Sequence, residues 1–288
     1  MSNQINEAFV QQFADNFLHV AQQKTSRFES AVTLEPGIVG MSKSINRLGK
    51  RAAQRRTARH GDTPINDQPH STRFIDLFDW EDGDMLDDQD KIRMLVDPTS
   101  EYVNAMIAAM NRAKDDVVAQ ALGGNSRSST GNIALPASQK IAVGGTGLTK
   151  AKMIQARKLF RANEADEENG EMLFMGYSST GLSDLLSDTT LTNTEVNTVL
   201  SLQSGQIKEA TLMGFRMIPF EGFPKVSTTR YLYAWAKTGV ALGIGQNITT
   251  EVGKDPGKGF NVRIYAKQSL GSVRIEEEKV VEVACVES

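Results

Sequence analysis

Between Lys43 and Arg59 the chain carries seven bases without one acid, and between Asp76 and Asp90 eight acids without one base. The bases are Lys43, Arg47, Lys50, Arg51, Arg55, Arg56 and Arg59; the acids are Asp76, Asp79, Glu81, Asp82, Asp84, Asp87, Asp88 and Asp90. A block of like charge repels itself and buries little apolar surface, so residues 36–97 cannot supply a core by themselves. If the excursion is ordered, something of opposite sign orders it. The two blocks are candidates for each other's partner, including between copies of the chain.

Around this segment the chain has the means to fold. Its 288 residues, 40% of them hydrophobic, suffice to bury roughly three quarters of the unfolded surface in one large domain or two smaller ones. A net charge of -3 argues against a general DNA or RNA binder, whose binding surface normally makes the domain basic. No apolar run approaches the roughly 20 residues of a membrane span. The N-terminus lacks the charged-then-apolar plan of a secretory signal, and the single cysteine, Cys285, allows no internal disulfide. These features predict an intracellular protein.

Apolar residues at Ile5, Phe9, Phe13 and Phe17 recur every four positions, which predicts an amphipathic helix over 4–23. Residues 27–34 alternate enough for a strand that stops at Pro36 and Gly37. Residues 38–70 have no core face and far exceed an ordinary connection of about five residues, so a projecting two-stranded arm is expected. Alternation returns from Ser71 to Trp80.

Asp97 and Pro98 then open the clearest helix, 98–122: a good N-cap, a proline suited to the first helical position, and Glu101 in the acid-favouring first turn. Val103, Met106, Ile107, Met110, Val117 and Leu122 follow one side until Gly123 and Gly124. Beyond it the pattern predicts a flexible polar loop over 125–131, short strands at 133–135 and 140–143, a helix from Thr149 to about Asn163, and an acidic turn over 164–170. A strand at 171–175 and a short helix from Ser178 or Ser179 to Leu186 come next. Strands follow at 206–220, 230–244, 248–252, 260–267, 273–277 and 280–286. The fold class is mixed α+β.

Four features invite a catalytic or ligand-binding reading. The stretch from Ile141 to Lys150 (IAVGGTGLTK) has the strand, glycines and helix start of a phosphate-binding turn, but Ala151 stands where a P-loop needs Ser or Thr, and Lys150 where a dinucleotide turn needs glycine. A plain turn with a helix start is favoured. Asp82, Asp84, Asp87 and Asp88 lack the order of a calcium loop and suit a partner-facing surface. His19, His60 and His70 form no pairing suited to metal or base chemistry. Cys285 sits in an alternating valine run and reads as a small buried apolar residue. No cofactor, no metal site and no enzyme activity are expected.

The order of these parts resembles the major capsid (coat) proteins of tailed bacteriophages, the Hong Kong 97 (HK97-like) type of fold. The local wording is similar too: 59–64 (RHGDTP), 73–80 (RFIDLFDW), 259–267 (GFNVRIYAK) and 270–275 (LGSVRI). The resemblance implies an N-terminal arm over 1–35, an extended loop over 36–72, a peripheral domain over 73–164 with its spine helix at 98–122, an axial domain over 165–252, and a return to the peripheral sheet over 253–288. It implies an icosahedral shell of pentamers and hexamers around a double-stranded DNA phage genome, assembled in the bacterial host cytoplasm. The partners would be copies of the chain, a scaffolding protein, a portal protein, and packaged DNA by proximity only. Some members of the family crosslink a lysine of the extended loop to a neighbour's asparagine; Lys43 and Lys50 lie in the matching segment, with no matching asparagine identified. On this reading the contacts between subunits are made by Lys43, Arg47, Lys50, Arg51, Arg55, Arg56, Arg59, Asp79, Asp82, Asp84, Asp87 and Asp88. The alternatives are an encapsulin-like compartment shell, a nucleic-acid-binding protein gripping phosphates with 43–59, and an enzyme using the 144–150 turn.

Overall fold

The computed structural model describes residues 22–57, 59, 65–86, 99–187 and 211–287. The helix expected over 4–23, the Asp97 cap with Pro98, the acids Asp87, Asp88 and Asp90, His19 and His60 lie wholly or almost wholly outside the described residues.

In chain order the elements are β1 (Thr33–Pro36), β2 (Ser42–Leu48), β3 (His70–Asp76), β4 (Phe78–Leu86), α1 (Thr99–Gly123), β5 (Ser126–Ser128), β6 (Gly131–Ile133), β7 (Lys140–Ile141), α2 (Lys150–Ala162), β8 (Leu173–Tyr177), α3 (Ser179–Ser187), β9 (Thr211–Leu212), β10 (Phe215–Pro219), β11 (Lys225–Val226), β12 (Thr229–Ala236), β13 (Val240–Asp255), β14 (Asn261–Arg274) and β15 (Val280–Val286). The mixed α+β class holds. The chain divides into two compact units, one of 1–25, 79–113 and 247–268 and a larger one of 26–78, 114–246 and 269–288.

The larger unit is built on a seven-stranded sheet in the order β7-β15-β12-β8-β10-β9, with β11 added to β12. Its central strands are largely apolar on both faces, as strands covered on two sides are: all five residues of β8 are buried, as are the first six of β15, Glu282 among them. β12 pairs antiparallel with β15 from Thr229 opposite Val286 to Trp235 opposite Val280, while β8 and β10 run parallel. Helix α2 lays Met153, Ala156 and Phe160 on this core at helical spacing. Phe28 is buried edge-on to Trp235, 5.4 Å between ring centres, and the Trp235 indole donates to the Ala31 carbonyl at 2.9 Å. The segment before β1 is therefore core, and its expected strand over 27–34 is a single 3-10 turn, Glu29–Ala31, followed by β1.

The C-terminal end of α1 lies in this unit, where Val118, Ala119 and Leu122 join the core. Gly123 and Gly124 do end the helix, but a side chain finishes it. The fully buried Arg274 guanidinium donates to the carbonyls of Leu122 at 3.0 Å, Gly124 at 2.7 Å and Ile133 at 3.0 Å, a cation at the negative end of the helix dipole. A small satellite core of Ile38, Ile75, Ala241 and Val273 sits at the root of the arm.

In the smaller unit β13, β14 and β4 are neighbours in that order. The N-terminal part of α1 gives Met106 and Met110 to a core with Leu86, Val262, Ile264 and Ala266, and Gln268 donates to the Met110 carbonyl at 2.9 Å. Those methionines pack as their helical spacing predicts.

One loop expectation and two strand expectations need correction. Residues 125–131 are not a flexible loop: β5 and β6 pair there as a tight hairpin, and β5 extends the sheet of β2 and β3. Within the described part of 206–220 the strand breaks at Met213 and Gly214, whose φ angles of +52° and +81° make a two-residue hairpin loop between β9 and β10. The expected strand 230–244 is cut by a 3-10 turn at Lys237–Gly239, after which the chain leaves the large sheet and pairs with β1.

Candidate inter-subunit interface

The arm exists as a two-stranded ribbon. β2 and β3 pair antiparallel from Ser42 opposite Asp76 to Leu48 opposite His70, and β2 alternates exposed and half-buried residues. Beyond Leu48 one last backbone bond gives way to side-chain ones. The Gly49 amide donates to the Pro69 carbonyl at 2.8 Å, the Gln68 amide to Gly49 at 2.6 Å, the Asn66 amide to Ala52 at 3.1 Å, and Arg51 to the Asn66 carbonyl at 3.0 Å. Side chains replace the backbone ladder where the sequence turns polar.

The basic block divides in two along this ribbon. Near the root, Lys43 meets Glu35 at 2.6 Å, Arg47 meets Glu277 at 3.0 Å, and Lys50 meets Glu164 at 3.2 Å and Glu278 at 3.9 Å while donating to the Asn163 carbonyl at 3.0 Å. These three were expected to face a neighbour; acids of their own chain hold them, none of which, among the described residues, comes from the acidic block. Toward the tip, Arg51, Arg55, Arg56 and Arg59 are all exposed, and every described residue from Arg51 to Thr57 is exposed with them. The tip carries concentrated positive charge on a stitched, solvent-facing support.

Of the acids, Asp76 belongs to the ribbon and pairs with Arg127 at 2.9 Å. On β4 Asp79 and Asp84 are exposed and Asp82 is half-buried; Glu81 accepts from the Tyr265 hydroxyl at 2.7 Å. Among the described residues no group of three metal-ligating side chains occurs.

The other candidates resolve into structure. In the turn after β7 the backbone carbonyls, rather than amides, point inward: the Lys152 ammonium donates to Val143 at 2.9 Å, Thr146 at 2.7 Å, Gly147 at 3.0 Å and Ala284 at 2.8 Å. The Leu148 amide, one donor that a phosphate would need, is taken by the Asp184 carboxylate at 3.1 Å. This polarity suits a cation and repels a phosphate. Cys285 is buried, and burial pushes its thiol up to about 11, far from a reactive thiolate. His70 is exposed on β3.

The groups that sequence reasoning missed are those that moor the arm: Arg73, Glu277, Glu278, Glu164 and Asn163. Arg73, buried, sends its Nη2 to the second oxygen of Glu277 at 2.9 Å. Burial alone would raise the Glu277 carboxyl, but its own backbone N–H and the Arg73 and Arg47 guanidiniums hold it below the usual carboxylate range. The acidic run from Glu276 to Glu278 was the available signal.

A family model described as phage capsid protein matches residues 5–287. No curated protein matches. Among solved structures, the chain is similar to the capsid of cyanophage P-SCSP1u (18% identity, 100% of this chain and 97% of that one, TM-score 0.69). It is similar also to the capsid of Ralstonia phage GP4 (10% identity, 97% and 96% covered, TM-score 0.75) and to that of cyanophage Pam1 (13% identity, 97% of each chain, TM-score 0.71). At such identities the likeness is one of fold, over the whole length.

Proposed function

The chain belongs to the phage capsid protein family and is a structural major capsid protein of the virion shell, and from that premise we propose that the tip of its arm, around Arg51, Arg55, Arg56 and Arg59, clasps an acidic surface of a neighbouring copy. The acids proposed for that surface are Asp79, Asp82, Asp84, Asp87 and Asp88. The observation that carries this reading is the division of the basic block: its root is neutralised by acids of the same chain, while the tip is exposed and concentrates positive charge. Lys43, Arg47 and Lys50, occupied at home, serve to aim the arm.

Exposed ion pairs contribute only about 0–1 kcal/mol each, so the charged tip selects which face meets which rather than holding the shell together. Strength comes from apolar contacts and from each subunit touching several neighbours, which makes every further contact effectively intramolecular. Repetition that closes gives a finite shell. The shell is of pentamers and hexamers around double-stranded DNA, with residues 36–72 as the arm, 98–122 as the spine, 165–252 meeting its copies around the symmetry centres, and 253–288 returning to the peripheral sheet. A scaffolding protein and a portal protein assist in the bacterial cytoplasm, and DNA is near by packaging rather than gripped. The nucleic-acid reading loses force because three of the seven bases it needs already face carboxylates.

Electron microscopy of the purified chain, expressed with and without a candidate scaffold, tests the reading. Closed shells of uniform size are expected; a chain that stays solitary under every condition overturns it.

A further inference from the structure

Arg47 lies opposite Ser71 in the ribbon, and Arg73 is two residues beyond Ser71, so the two cations share one face as diagonal neighbours. Placed there alone they would repel. Instead each holds a different oxygen of Glu277, Arg47 at 3.0 Å and Arg73 at 2.9 Å, so that both strands of the ribbon converge on one carboxylate.

That carboxylate stands on a fixed point. Glu277 opens the 3-10 turn Glu277–Lys279 immediately before β15. The amides of Ile275 and Glu276 both donate to the Gly239 carbonyl, and Lys279 is pinned to Glu171 at 2.8 Å. A side chain at Gly239 would meet the Lys279 Cβ at 2.6 Å, so the two turns touch at backbone distance. The second mooring, Lys50 with Glu164 and Glu278, is mostly exposed, with side-chain exposures of 64%, 73% and 54%, and such pairs hold geometry weakly. Around Glu277 the exposures are 13% for the acid, 22% for Arg47 and 3% for Arg73, where solvent screens little. The buried mooring sets the geometry.

We propose that Glu277 is a positioning residue for assembly: it fixes the direction in which the arm leaves its own subunit, and thereby which placement of a neighbouring copy the basic tip can reach. The inference rests on the capsid reading above and adds a residue bonded to both strands of its own arm. Glu277→Gln keeps the size and one acceptor while removing the charge that serves two guanidiniums. Arg47→Gln releases only one strand and leaves buried Arg73 paired, so it serves if the first variant folds poorly.

The test uses spin labels at Thr57→Cys on the arm and Lys158→Cys on α2, both exposed, in the full chain whose native Cys285 is buried. In free subunits the label-to-label distance distribution is expected to broaden about twofold in Glu277→Gln, and less in Arg47→Gln, as a pivot releases a segment into slower collective motion. The melting temperature should fall in Glu277→Gln, which takes the counter-charge from buried Arg73, and stay near that of the parent in Arg47→Gln, and shells of both should change from one size to several or fail to close. An unchanged distance distribution, or shells of parental size and uniformity, overturns the proposal. Broadening in Glu277→Gln with none in Arg47→Gln at parental stability also overturns it, since that marks a merely structural role. Should the parent chain form no shells, the capsid reading fails, while the distance measurement still reports on the pivot.

Discussion

Lys152 donates to the carbonyl oxygen of Ala284 at 2.8 Å, so an ammonium from the first turn of α2 is buried against strand β15 near the C-terminal end of the described chain. With three further carbonyls from residues 143–147 around it, this one cation ties a turn, a helix and a strand together. A sequence stretch that looks built for phosphate is folded inside out.

Replacing that cation should be costly. Lys152→Met leaves four carbonyls without their donor, each worth on the order of 1–3 kcal/mol when buried and unpaired, offset in part by no longer burying a charge. A net loss of about 3 kcal/mol is expected, read as a lowered thermal midpoint for the larger unit. Lys152→Gln, which restores two donors, should recover part of it. Equal stability of Lys152→Met and the parent would show that the carbonyls are satisfied by other means.

The root of the arm crosses β13 and β14 at backbone distance. A Cβ added at Gly271 would stand 1.9 Å from the Asp76 carbonyl oxygen, and one at Gly243 would stand 2.5 Å from Ile38 and 2.7 Å from Ile75. Gly271→Ala faces backbone that cannot step aside. It should displace β3 from the satellite core, at a cost of more than about 3 kcal/mol, and yield little soluble protein. Gly243→Ala presses on side-chain methyls and should be milder. Wild-type expression and melting of Gly271→Ala would contradict the close crossing.

Local pattern carried the sequence a long way. The spine helix read as 98–122 is α1, Thr99–Gly123; the last strand read as 280–286 is β15; the helix read from Thr149 is α2, Lys150–Ala162. Each owes its legibility to a periodicity or a stop signal within a few residues. The breaks at Met213 and at Lys237–Gly239 were illegible because apolar alternation runs straight through them, and only pairing partners elsewhere decide where a strand must turn. The moorings were illegible for a related reason. Arg73 and Glu277 are 204 positions apart, and Arg47 and Glu277 are 230 apart. A charge run announces that partners exist without naming them. The exposed basic tip, by contrast, was visible as composition alone, because a segment with no core face has nowhere else to go.

Charge reversal at the tip separates folding from assembly. Arg55 and Arg56 are exposed, so Arg55→Glu with Arg56→Glu should change the stability of the subunit by no more than the roughly ±0.5 kcal/mol of ordinary surface changes. Shell yield should fall steeply, and raising salt should weaken assembly of the parent more than that of the variant. Normal shells from the double variant would remove the tip from the interface.

Acid should loosen the larger unit through three carboxylates held below their unfolded range. For each, burial alone would raise the pKa, and bonded partners reverse it: backbone and arginine for Glu277, Lys279 and Thr238 for Glu171, and Ser178 with Arg230 for Glu287. A carboxyl whose folded pKa lies below its unfolded value of 4.5 contributes stability that is present above pH 4.5 and is lost as the pH falls through the folded value. The melting temperature of the larger unit should therefore decline from about pH 4.5 downward as these groups take up protons. Glu287 gives the sharpest test, with Arg230 Nε at 2.5 Å and Lys225 at 3.8 Å. Glu287→Gln should be less stable than the parent at pH 7, should lose less on acidification, and should converge on the parent near pH 2. Parallel pH profiles for parent and variant would mean that Glu287 does not titrate as this geometry requires, because a group that holds its proton equally in both states of the chain cannot change the slope.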